Sequence, residues 1–160
     1  MTGTETDIFR QARQKVNDLF AETDDLQRLY QGVCDILNTT VPTHNWVGIY
    51  LVDGSDLELA AWQGPAPTEH VRIPIGYGLC GYAAEHGESI IVNDVSQDPR
   101  YLQCFSHTKS EIVVPIMHAG EVLGEIDVDG DQLNNYSEQD QQLLEEIANR
   151  LGERIVSQRS

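Results

Sequence analysis

Residues 124–130 read Gly-Glu-Ile-Asp-Val-Asp-Gly, with Glu125, Asp127 and Asp129 alternating with Ile126 and Val128. A β-strand sends residues i, i+2 and i+4 to one face, so this spacing lines one side of a sheet with three carboxyl groups. Like charges at that spacing repel, and sheets do not adopt the arrangement for stability. Either the face is open to water, or it surrounds something cationic or protonated. In both cases the run demands a sheet whose other face is apolar.

The rest of the chain supplies a core for that sheet. With 160 residues, 40% of them apolar, the sequence reads as one domain able to bury a normal core without disulfide staples. The formal net charge of −16 argues against nucleic acid and anionic membranes, which are bound mainly through Lys and Arg. No run approaches the ~18 apolar residues of a membrane span. The polar, acidic start Met1–Asp7 is unlike a secretory signal, and the expected location is the cytoplasm. Three cysteines without a CxxC pair predict neither a disulfide framework nor a structural zinc site, and no metal or cofactor is expected. The scattered histidines His44, His70, His86, His107 and His118 read mostly as surface or loop residues.

Periodicity orders the elements. Ile8, Ala12, Val16, Leu19 and Phe20 follow helical spacing, and a second helix carries Leu26, Leu29, Tyr30, Val33, Ile36 and Leu37, with Asp24 and Gln27 as its expected capping box. Trp46–Val52 is an apolar strand, and Asp53-Gly54-Ser55 turns it into Leu57–Trp62. Val71–Ile75 is a short extended piece, at a sheet edge or a strand end, since it contains Pro74. Residues 79–87 form a short helix, Ser89–Val92 a strand, and Asp94–Ser110 a long loop. Glu111–Met117 and Glu121–Asp129 make a hairpin. Ser137, with Asp140 three residues on, caps a final helix whose face is Leu143, Leu144, Ile147, Leu151 and Ile155. Helices, then strands joined by tight turns, then a terminal helix predict an α+β domain: a central antiparallel sheet of about six strands with N- and C-terminal helices packed on it. The expected division is an N-terminal helix over 1–22, one domain over 23–157 and a tail at 158–160.

Gly76-Tyr-Gly78-Leu-Cys-Gly81 matches the dinucleotide fingerprint in letters only. The preceding strand contains Pro74, the following helix is about two turns long, and no βαβ alternation surrounds it. The glycines instead suit a tight turn that brings Cys80 to a helix start, a position that lowers a thiol pKa.

Trp46-Val-Gly-Ile-Tyr, Gly78-Leu-Cys-Gly81, Asn93-Asp-Val95, Ser110-Glu-Ile-Val-Val-Pro115 and Gly124-Glu-Ile-Asp-Val-Asp129 occur in the order seen in GAF domains. The resemblance covers roughly residues 25–155, and within that superfamily the chain is most similar to free methionine-(R)-sulfoxide reductases. It implies a catalytic cysteine at Cys104, seven residues before Glu111, and a resolving cysteine at Cys80, 24 residues before Cys104. It also implies substrate-binding carboxylates at Glu111, Asp127 and Asp129, and a tryptophan against the substrate at Trp62. A thioredoxin-like reductant and a possible homodimer, through the paired N-terminal helices and the C-terminal helix, follow from the same resemblance. The chain departs from the family's pattern in having Ile90 where another cysteine is frequent and Phe105 where Asp usually follows the catalytic cysteine.

That chemistry suits these residue types. A thiolate attacks the sulfoxide sulfur while the oxygen takes up a proton, leaving a thioether and a sulfenic acid, which a second thiol condenses to a disulfide. The proton must come from a group neutral near pH 7, and crowded carboxyls provide one by raising each other's pKa. The same groups can hold the ammonium of a zwitterionic ligand. Other residues read more plainly. Cys34 is core filling on a helix face. Trp46 and Tyr50 are core, and Glu125 is the solvent end of its strand, outside the site. The alternative function is a non-catalytic GAF domain that binds a small molecule as a sensor or regulatory module.

Overall fold

The computed structural model describes residues 6–101 and 107–159. Its element order is α1 (Asp7–Glu22), α2 (Leu26–Thr40), β1 (Trp46–Asp53), β2 (Asp56–Gln63), β3 (Arg72–Pro74), α3 (Gly78–His86), β4 (Ile90–Val92), β5 (Ser110–His118), β6 (Glu121–Gly130) and α4 (Glu138–Ser157). The strands form one antiparallel sheet in the order β3-β2-β1-β6-β5-β4. Pro74 lies on the edge strand β3, where a missing N–H costs no ladder bond. The expected long loop holds one short 3₁₀ turn at Val95–Gln97, closed by the Asp94 side chain accepting from Ser96 N.

The sheet separates two apolar layers. Val47, Ile49, Ile112, Val114, Ile126 and Val128 face α1, α2 and α4, whose Val16, Leu29, Val33, Leu144, Ile147 and Leu151 complete the larger core. Tyr50, Leu57, Val113 and Ile73 face the other way, toward Leu79, Cys80 and Ala83 of α3. Strand alternation accounts for this division, because odd and even residues of one strand serve different layers. No helix among the described residues is long and apolar enough to cross a membrane.

Helix ends follow side-chain chemistry. Ser137 and Asp140 make a reciprocal capping box at α4, worth about 1 kcal/mol. At α2 the expected box is replaced by a single cap one residue later: Asp25, not Asp24, accepts from Arg28 N at 3.2 Å. Asp24 instead receives Arg154 Nη1 at 2.7 Å, so its carboxylate ties α2's start to α4. His44 is also a correction, since it is fully buried rather than superficial. Its Nε2 meets Asp140 Oδ1 at 2.8 Å, so Asp140 serves the cap with one oxygen and the imidazole with the other.

Two β-bulges set which residues share the α3 side of the sheet. The β5–β6 hairpin begins with His118 opposite Glu121 and Met117 opposite Val122, and unbroken pairing would place Glu111 opposite Val128, with Asp127 and Asp129 turned toward the helices. A shift between Ile116 and Met117 instead puts Glu111 opposite Asp129. Likewise, the β1–β2 pairing from Asp53 opposite Asp56 would carry Trp62 opposite Val47, but a shift between Ile49 and Tyr50 puts it opposite Gly48. A one-residue slip turns a whole strand segment over, so the extra residue in β6 turns Glu125, Asp127 and Asp129, and the extra residue in β2 turns Trp62, from the helix side to the α3 face.

Candidate functional site

The registers build the α3 face as three rows. The first runs Trp46, Asp129, Glu111 and Val92; the second runs Trp62, Gly48, Asp127 and Val113; the third includes Tyr50, Glu125 and Pro115. Glu111, Asp127 and Asp129 are therefore direct or diagonal neighbours, and all three are buried. Trp62 stands two strands away on the same face, stacked on Trp46 with ring centroids 6.3 Å apart and planes at 11°. Gly48 makes room for that wall: a Cβ there would come within 2.4 Å of the Trp46 ring. Trp46 Nε1 donates to Ala66 O at 3.1 Å and Tyr50 OH to His70 O at 2.7 Å, so these two core aromatics also anchor the loop above the face.

Cys80 reaches the acidic rows from the start of α3. The turn before it is compact, with Gly76 N donating to Gly81 O at 2.9 Å and Gly78 at a φ of 66°. A Cβ on Gly81 would lie 2.7 Å from Pro74 O. Glycine at 81 thus permits a close backbone approach that presses Cys80 onto the sheet. Its Sγ lies 4.0 Å from Glu111 Oε2. A narrow cleft lined by His70, Tyr77, Cys80 and Glu111 reaches this point, with about 10 Å³ of space, enough for one water.

The electrostatics reverse one expectation. Cys80 sits at a helix N-terminus, yet its thiol is pushed well above the ordinary range, first by burial and then by Asp127, Glu125 and Glu111. Burial and three neighbouring carboxyl groups outweigh a partial helix charge. Burial raises Asp129 and Glu125 strongly, with the charge of Asp127 adding to each. Burial also raises Asp127, while hydrogen bonds to Glu111 and Cys80 and the charge of His70 pull it back. A carboxyl–carboxylate hydrogen bond requires one protonated partner, so this cluster titrates as a unit and keeps protons that exposed carboxyls would lose.

Glu125 is the residue that sequence reasoning missed. It is not the solvent end of its strand: it is fully buried, opposite Tyr50 and Pro115, with the Cys80 thiol as the hydrogen-bonding group beside it. The strict alternation with Asp127 was the available signal. Cys34 lies in the helical core, fully buried, with its thiol raised by burial.

Cys104 lies outside the described residues, as does Phe105. The ends of the connecting segment are tied down near α3 and β6. Arg100 stacks over the Tyr82 ring at 4.5 Å while pairing with Asp98, and Lys109 N donates to Gly130 O at 2.8 Å. Ile90, where the resemblance offers a cysteine, is buried opposite Val113.

A family model described as GAF domain matches residues 23–155. The chain belongs to the GAF domain family. GAF domain-containing protein A of Dictyostelium discoideum is 43% identical over 103 residues, 64% of either chain. Free methionine-R-sulfoxide reductase of Saccharomyces cerevisiae is 36% identical over 116 residues, 70% of this chain and 63% of that protein. This GAF protein thus matches just under two thirds of the length of these two relatives. The structure of free methionine-R-sulfoxide reductase from Neisseria meningitidis in complex with its substrate superposes with a TM-score of 0.87 at 31% identity, covering 98% of this chain and 95% of that one.

Proposed function

We propose that this GAF domain protein reduces free methionine-(R)-sulfoxide to methionine with a thiol as the first electron donor. The observation that carries the reading is the patch of buried carboxyls, Glu111, Asp127 and Asp129, with Cys80 set against Glu111 and Asp127. Buried charges are tolerated when paired, and the ammonium of a free amino acid pairs with such a cluster. The likeness to a reductase holding its substrate, over nearly the whole chain, supports the same ligand class.

The assigned roles follow from protonation. Cys80, held as a thiol by burial and by its carboxylate neighbours, is a poor first nucleophile, which fits the attack by Cys104 that the resemblance implies. The Cys104 thiolate attacks the sulfoxide sulfur, a carboxyl of the cluster protonates the oxygen, and the hydroxyl passes to the Cys104 sulfur as the S–O bond and the transient S–S bond break. Methionine leaves and Cys104 carries the sulfenic acid. Cys80 then attacks that sulfur, its proton passing through an adjacent carboxylate to the departing hydroxyl, so that water leaves and a Cys80–Cys104 disulfide forms. A thioredoxin-type dithiol reopens it by exchange. Trp62, beside Trp46 on the same face, packs on the thioether end of the ligand.

The test is NADPH oxidation coupled through thioredoxin to free methionine-(R)-sulfoxide. The wild-type protein turns over, Cys104→Ser does not, and Cys34→Ser does. Cys80→Ser completes one equivalent of methionine per chain and stops. Intact reduced protein that binds the sulfoxide without turnover would overturn the enzyme reading in favour of a ligand-binding module.

A further inference from the structure

The described residues place together a donor set suited to a metal ion. Cys80 Sγ, a Glu111 oxygen and an Asp127 oxygen all lie within 4.8 Å of one another, and the three side chains are buried. Zinc holds thiolate at about 2.3 Å and carboxylate oxygen at about 2.0–2.2 Å, so ligand atoms around it stand roughly 3.3–3.7 Å apart. Closure from the observed positions needs shifts on the order of an ångström. An independent observation points the same way. Asp129 and Glu125 flank Asp127 on its own strand face, both are buried, and as carboxylates neither meets a nitrogen or hydroxyl donor on either oxygen, Glu125 having only the Cys80 thiol beside it; Asp127 Oδ1 lacks one as well. Oxygens in that condition call for a cation or for protons.

We propose that this cluster binds one thiophilic divalent cation, Zn²⁺ in the first instance, through Cys80, Glu111 and Asp127, with the fourth position taken by Asp129 or water. The thiolate decides the class of ion: it favours zinc over the hard cations, which take six or more oxygens. On coordination Cys80 loses its proton, as do any protonated carboxyls among the ligands, and these protons leave to solvent. The ion reaches the site along the cleft beside His70 and Tyr77. Since it occupies the carboxylates that an amino-acid ammonium would use, it also blocks the pocket. The site needs no turnover to exist, so it stands apart from the proposed function.

The reduced full-length chain is titrated with Zn²⁺ by calorimetry in two buffers of different protonation enthalpy, and with Co²⁺ by absorbance. One ion per chain, proton release, and a thiolate-to-cobalt charge-transfer band in the near ultraviolet are expected. Cys80→Ser abolishes the band, Cys104→Ser and Cys34→Ser keep it, and Asp127→Asn weakens Zn²⁺ at least about tenfold. Circular dichroism checks the fold of each variant, and Glu111→Gln serves if Asp127→Asn does not fold. A band that survives Cys80→Ser, or that vanishes with Cys104→Ser, overturns the site. A band without sulfoxide turnover supports the metal site alone, and turnover without any band refutes it.

Discussion

Glu125→Gln should change how stability depends on pH. The carboxyl is fully buried beside Asp127, and burial raises its pKa well above the ordinary value. An unfolded glutamate titrates near ~4.3. Between that value and the raised native one, the folded chain keeps a proton that the unfolded chain has lost. Stability is therefore full below the unfolded value, and falls as pH rises through this window. The slope is about 1.4 kcal/mol per pH unit for each such group, flattening once the native carboxyl ionises. Asp127 and Asp129 are raised in the same direction, so the wild-type slope is steeper than one group gives. Glutamine keeps the shape but cannot titrate, and its amide can donate to Asp127. The variant should match wild type within ~1 kcal/mol near pH 5, then gain on it by up to about 1.4 kcal/mol per pH unit above. Urea unfolding at pH 5, 6 and 7, with reductant and EDTA present, reads this directly. Stability curves for the two proteins that run parallel from pH 5 to 7 would refute the reasoning. Removing Glu125 also removes one of the charges that raise the Cys80 thiol, so iodoacetamide should modify Cys80 at lower pH in the variant.

Other substitutions probe the framework. Gly81→Ala forces a Cβ against Pro74 O at 2.7 Å and should cost about 1–3 kcal/mol in denaturant unfolding, with Cys80 alkylated faster as the turn loosens. Asp140→Ala removes the α4 capping box and leaves His44 unpaired, a loss of about 3 kcal/mol visible as a lower Tm. Trp62→Ala breaks the stack on Trp46 and should raise KM for the sulfoxide about tenfold, equivalent to ~1.4 kcal/mol, with a smaller effect on Tm.

Much of the site was legible in the linear chain because strand periodicity is local. The alternation of Glu125, Asp127 and Asp129 needs no partner to place three carboxyls on one face. What that face meets is not local. Glu125 read as a solvent terminus because nothing in its neighbours in sequence announces α3 above it. Cys80 read as an activated thiol because a helix start is visible in sequence, whereas the carboxylates pressing on it come from β5 and β6. His44 looked like a loop histidine, and Asp140, 96 residues away, makes it an interior one.

The sequence by itself determined the elements, their order, the antiparallel hairpins and the acidic stripe, since propensity, turn chemistry and side-chain period act over a few residues. Only the tertiary structure decided that Glu111 and Trp62 share the stripe's face. Each depends on a single bulge, between Ile116 and Met117 and between Ile49 and Tyr50. Without those slips the alternation turns Trp62, and the acidic stripe itself, toward the helices and away from Glu111. Bulges arise where two strands settle their packing against layers on both sides, and that balance is a property of the assembled sheet.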